Sequence, residues 1–196
     1  MLSAEPIALP ATATSEAKAY LRIVGTDEDA LVARLMRSSA ELCERFTGRV
    51  LIARSFSELL PASSAWARLN GTPVRAISGV EAMPAEGPAL PLPAAAYAID
   101  IDANGDGWVR VADAGDAKRV RVTFEAGMAP DWNDVPETLR QGTVRLAAYL
   151  YSHRDDADGA GPPVAVSALW RPWRRMRLGS LSSGLRAVPF GLGGRF

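Results

Sequence analysis

The spacing of apolar residues changes period along the chain, and each period predicts a different element. Residues 14–24, TSEAKAYLRIV, carry a short helical pattern that Gly25 can end. A longer one follows in TDEDALVARLMRSSAELCERFTG, where Leu31, Leu35, Leu42 and Phe46 recur at helical spacing and Ser38 completes the stripe. Thr26 and Asp29 stand as a capping box, which satisfies the first orphan backbone N–H groups, and Gly48 sits where a left-handed C-cap belongs. This predicts a helix over 27–47. From 50 to 126 helical spacing gives way to alternation. VLIARSFSELL, VRAISGVEAM, YAIDI, GWVRVA and KRVRVTFEA predict about five strands, and PAEGPALPLPAAA reads as a proline-rich connection among them. RVRVTF alternates in the way of a strand with one wet and one buried face. Helical spacing returns over 136–153, with Leu139, Leu146, Ala147 and Leu150 as its stripe, Pro136 in the first turn and Asp134 near the cap. Gly142 falls in the middle of this helix, where glycine costs about 1 kcal/mol against alanine. Close approach of another backbone would account for it.

These elements make an α+β fold: a small helical core of about three helices (14–24, 27–47 and 136–153), an inserted β-rich section (50–126) and an extended C-terminal tail. DDADGAGPP has the composition of a linker. The expected division is therefore a body over 1–158 and a linker with an arginine-rich docking tail over 159–196.

Charge sharpens that division. The formal net charge is zero, which argues against the whole protein being an electrostatic nucleic-acid binder. The zero is a balance of unequal parts. Residues 1–158 hold 16 basic and 22 acidic side chains, whereas 159–196 hold six arginines and no acid. The lone cysteine, Cys43, permits no internal disulfide and reads as a small packed side chain. MLSAEPIALPATAT lacks a positive n-region and is not expected to act as a secretory signal, and no run of eighteen apolar residues predicts a membrane span.

Two places tempt a chemical reading. In DANGDGWVRVAD, the residues Asp102, Asn104, Asp106, Gly107 and Asp113 fall on positions 1, 3, 5, 6 and 12 of a calcium loop. The flanks read as strands rather than helices, and Asp113 is shorter than the usual bidentate glutamate. Asn-Gly and Asp-Gly are also hairpin-turn formers. The hairpin turn is the favoured reading, and a calcium-binding β module the weaker one. His153, the only histidine, ends a helix, where the macrodipole favours a cation. Neither nucleophile elbow, phosphate loop, HExxH nor CxxC occurs, so no enzyme and no cofactor are expected.

The tail segment ALWRPWRRMRLGS, 168–180, holds two tryptophans and four arginines. Pro172 and unsegregated charges argue against a membrane-surface helix. An arm for nucleic acid, with arginine on phosphate and tryptophan on bases, is the alternative function. The apolar residues around the arginines want a pocket. Trp and Arg are also enriched at interface hot spots, so a docking segment fits best. Its expected contacts are Leu169, Trp170, Arg171, Trp173, Arg174, Arg175, Arg177 and Leu178.

Three blocks in order, SEAKAYLRIVGTDEDALVARLMRSSAELCERFTGR (15–49), VTFEAGMAPDWNDVPETLRQGTVRLAAYLYSHRD (122–155) and VSALWRPWRRMRL (166–178), resemble the head–tail connector, or adaptor, proteins of long-tailed bacteriophages and phage-derived gene transfer agents. The resemblance implies a helical core with a β insertion and a non-enzymatic role in a phage-like particle made in the bacterial cytoplasm. It implies a homo-oligomeric ring, usually of twelve subunits, between the portal protein and a stopper or tail-completion protein. That ring lines the channel through which DNA passes without sequence-specific binding, and its C-terminal segment reaches into the portal. Family members often end soon after the R.R block, whereas this chain runs eighteen residues past Leu178.

Overall fold

The computed structural model describes residues 1–153 and 161–175. Four α-helices and eight strands give the expected α+β class. The helices are α1 (Ala11–Leu21), α2 (Asp29–Thr47), α3 (Glu137–Ser152) and α4 (Val164–Trp170). Between α2 and α3 run β2 (Arg54–Pro61), β3 (Ala67–Arg68), β4 (Val74–Met83), β5 (Leu90–Pro91), β6 (Tyr97–Ile101), β7 (Gly107–Val111) and β8 (Arg119–Ala126). One strand precedes them all: β1 (Leu2–Ala4) pairs with β2 and places the N-terminal residues at the sheet edge.

The strands form two antiparallel sheets, β1-β2-β8-β4-β5 and β3-β7-β6. In β8 the alternation works as the sequence predicts: Val120, Val122 and Phe124 are buried, with Arg119 and Glu125 outside. Phe124 stacks on Phe56 of β2 at 5.5 Å, and Leu69, Val109 and Val111 close the same core. The three short strands β1, β3 and β5 carry too few residues to show a period.

Helix boundaries depart from the sequence in ways the hydrogen bonds explain. Helix α1 starts directly after Pro10 and stops at Arg22, which adopts a left-handed φ of 59° and donates its N–H to Ala19. The helix therefore ends before Gly25. The capping box does not form. The Asp29 backbone N–H donates to the Thr26 carbonyl at 3.1 Å, and its carboxylate pairs with Lys18 of α1. At the other end Gly48 does cap α2, at φ 68°.

The stripe expected on α2 is not the buried one. Val32, Met36, Ser39, Ala40, Cys43 and Thr47 face the core, while Leu31, Leu35 and Phe46 are half-buried and Leu42 is exposed. Ser39, Ala40, Cys43 and Thr47 are small enough to let α3 pack against this face, with Val32 and Met36 beside them. Burial pushes the Cys43 thiol up to about 12. A thiol so protonated is packing, as the sequence reading has it. On α3 itself the expected stripe holds, with Leu139, Leu146 and Ala147 buried and Leu150 packed at its edge.

The helical and β parts share a polar joint. Glu44 of α2 takes two parallel bonds from Arg54 of β2, at 2.8 and 2.7 Å, and its Oε1 also accepts the Leu51 N–H at 2.9 Å. Both side chains are largely buried, and this bidentate geometry is the strong form of such a pair.

Candidate functional site: the arginine segment and its groove

Residues 161–175 do not stand off from the body. Pro163 starts α4, and Pro172, lacking an N–H, turns its end into a single 3₁₀ turn over Arg171–Trp173. Trp170 is fully buried, and its ring meets α3 at the one residue without a Cβ. A methyl placed on Gly142 would lie 2.8 Å from Cδ1 and 2.9 Å from Cε2 of the indole, and closer still to Nε1. The mid-helix glycine is thus explained by a side chain, where the sequence suggested another backbone. The Trp170 Nε1–H points at the Leu139 carbonyl, 3.4 Å away, and Phe46 of α2 packs at a tilt with ring centroids 5.8 Å apart.

The next residues are tied down one by one. Trp173 is half-buried and donates Nε1–H to Thr138 Oγ1 at 2.9 Å, while its carbonyl accepts from Arg49 Nε at 3.0 Å. Arg175 donates its backbone N–H to the Thr47 carbonyl at 2.9 Å. Its guanidinium makes two parallel bonds of 2.6 Å to the Asp106 carboxylate and a third to Thr72 Oγ1. The Arg175 guanidinium, joined by Arg68 at 3.5 Å, holds the Asp106 carboxyl below the usual carboxylate range despite its burial.

This pairing engages one of the carboxylates of the calcium lookalike. Residues 102–106 are the turn between β6 and β7. Asp102 Oδ1 accepts the N–H groups of Asn104 and Asp106 at 2.8 and 2.9 Å, and Oδ2 accepts Trp108 Nε1–H at 3.2 Å. The backbone bond from Asp106 and these further donors hold the Asp102 carboxyl down as well. Asp113 serves a separate turn by accepting from Gly115 N–H at 2.9 Å. The carboxylates that the loop spacing lines up are thus committed to backbone and arginine. Among the described residues no cluster of His, Cys, Asp or Glu is placed to hold a metal ion. His153 stacks on Tyr149 at 4.1 Å and bonds the Tyr149 carbonyl through Nδ1.

Of the eight expected docking residues, two serve this chain's own fold in the described structure: Trp170 as a core wedge and Arg175 as a clamp. Leu169 and Trp173 are half-buried against the helices, and Arg171 and Arg174 are exposed. Arg177 and Leu178 lie outside the described residues. Sequence reasoning missed Asp106 as the partner of Arg175, since 69 residues separate them and no periodicity links them. It also missed Arg45 and Arg49 at the end of α2. With Arg171 and Arg174 they line a groove of about 1100 Å³ that also includes Leu2, Phe46 and Phe56.

No family model and no curated protein matches the chain. Solved structures do match, each over 91% of this chain and 97% of the other. Among them are the neck of an empty gene transfer agent particle computed with C6 symmetry (TM-score 0.73, 27% identity), the neck of the native particle with C12 symmetry (0.70, 28%) and the virion of the native particle (0.69, 28%). The resemblance to head–tail connectors read from three sequence blocks is borne out at the level of the whole fold.

Proposed function

We propose that this chain is a structural subunit of the neck of a phage-like particle: a head–tail connector that forms a ring between the portal and the stopper or tail. The observation that carries the reading is the near end-to-end match, at 27–28% identity, to chains in gene transfer agent necks. The match includes both the helical core and the β insertion, because coverage of 91% leaves room to omit neither.

In this reading the protein acts without catalysis or cofactor. A ring requires each subunit to offer two different complementary surfaces, a heterologous interface that closes by rotation. Helix α2 has the composition for one of them, since its Leu31 and Leu42 lie off the core face. The C-terminal segment contacts the portal through Leu169, Arg171, Trp173 and Arg174, continuing to Arg177 and Leu178, while Trp170 and Arg175 fix its root. The acidic balance of residues 1–158 suits a conduit, because dense basic lining would retain DNA by counterion release.

Deleting the gene in a particle-producing bacterium tests the proposal. The expected product is heads without tails, restored by the wild-type gene, with a tagged copy located at the head–tail junction by electron microscopy. Tailed particles at normal yield in the deletion strain would overturn it.

A further inference from the structure

We propose that the groove between the end of α2, the β1–β2 edge and the C-terminal segment is a docking site for an acidic peptide segment of a partner protein. The inference deepens the connector reading and rests on it for the partner's place in the neck. The groove itself is argued from charge and shape.

Six arginines line the groove, and among the described residues only part of that charge is answered by carboxylates. Arg54 is held by Glu44 and Arg175 by Asp106. Arg45 pairs only loosely among the described residues, with the exposed Glu41 3.9 Å away. Arg49, Arg171 and Arg174 form no salt bridge among the described residues, and the carboxylate that acts on Arg49 at a distance, Asp106, is already held by Arg175. Arg49 is also partly desolvated beside Arg175, and both conditions push its guanidinium below its ordinary value. Unpaired guanidinium groups around a concavity call for carboxylate or phosphate.

The segment that follows Arg175 supplies no carboxylate side chain of its own. Residues 176–196 add Arg177, Arg186 and Arg195 and no aspartate or glutamate. The choice between protein and nucleic acid turns on the aromatic rings. A single strand binds by stacking bases on open rings. Phe56 is 4% exposed, stacked on Phe124 and covered by Arg54. Phe46 lies against Trp170, with Arg174 over its ring at 5.7 Å. Neither ring offers a free face. A duplex presents phosphates on a convex surface and would leave the apolar floor uncovered. An extended peptide with carboxylates on either side of an apolar residue fits both features.

The test uses the full chain and fluorescence anisotropy with three labelled probes: a peptide of repeated Glu-Glu-Leu, its Lys-Lys-Leu counterpart and single-stranded oligothymidine. The acidic peptide should bind, with affinity about ten-fold or more lower in Arg174→Glu and in Arg49→Glu and unchanged in Arg119→Glu, which lies outside the groove. Thermal melting by circular dichroism checks that each variant is folded. Arg174 is exposed, so that variant keeps the test decisive even where loss of the Arg49–Trp173 bond unfolds the other. Failure of the acidic peptide to bind better than the basic one, or equal binding by wild type and Arg174→Glu, overturns the proposal. Tighter binding of oligothymidine, lost in the same variants, overturns it in favour of nucleic acid. Either result leaves the connector reading standing if the deletion strain still gives tailless heads.

Discussion

Replacing Gly142 by alanine puts the wedge of Trp170 to a quantitative test. In an open helix this change stabilises by about 1 kcal/mol. Here the new methyl would sit 2.8–2.9 Å from two indole carbons, well inside the ordinary carbon–carbon contact of about 3.5–4.0 Å. The ring must move or α3 must bend, and overpacking of this kind costs about 1–3 kcal/mol. Complete ejection of the indole sets the ceiling, at the 3–5 kcal/mol or so of a buried Trp→Ala change. Gly142→Ala should therefore destabilise the protein by about 1–3 kcal/mol. In a Trp170→Ala background the obstruction is gone, and the same change should stabilise by up to about 1 kcal/mol. The two sites should couple by about 2–4 kcal/mol, with a reversal of sign. Urea denaturation of the four proteins, followed by far-ultraviolet circular dichroism, measures this. A stabilising Gly142→Ala in the wild-type background, or simple additivity, would refute the reasoning.

Three further outcomes follow from the same contacts. A chain ending at Arg175 should melt as the full protein does, whereas one ending at Pro163 should lose several degrees and expose the α3 face, read by calorimetry and dye binding. Asp106 has a folded pKa below its unfolded value, so its contribution is present above the ordinary carboxylate range and is lost as pH falls through the folded value. Hydrogen exchange of 164–175 should accordingly stay flat from pH 7 down to about 4.5 after correction for intrinsic rates, then quicken below about 4, and Asp106→Asn should show the acid behaviour at neutral pH. Calcium should give no heat of binding, and Asp102→Ala should lower the melting temperature equally with and without calcium, because Asp102 holds the turn and Trp108 directly.

What the sequence revealed and what it hid divide along physical lines. Strands β2, β4, β6, β7 and β8 were legible because each alternates over five or more residues, and α3 because its stripe is made of large apolar side chains. Helix α2 misled because leucine is a stronger hydrophobic signal than alanine, serine or cysteine. The buried face mixes Val32 and Met36 with small and polar side chains, and a pattern weighted by leucine points elsewhere. The arginine segment was visible in composition, yet its internal roles were not. Trp170 needs Gly142, 28 positions away, and Arg175 needs Asp106. Such pairings are products of the closed fold, and local propensity does not encode them. Asp106 was noticed for its loop spacing, which correctly marked a turn and gave no hint of its partner.

The fixation of residues 170–175 has a mechanical consequence. A pull on the chain beyond Arg175 meets two parallel guanidinium–carboxylate bonds first, then the backbone bond to Thr47, and only afterwards the indole lodged over Gly142. The first of these bonds is anchored in the β6–β7 turn, the second at the end of α2, and the wedge in α3. Tension is thus met by anchors in three separate elements in turn, much as a knot behind a fairlead protects the rope's attachment.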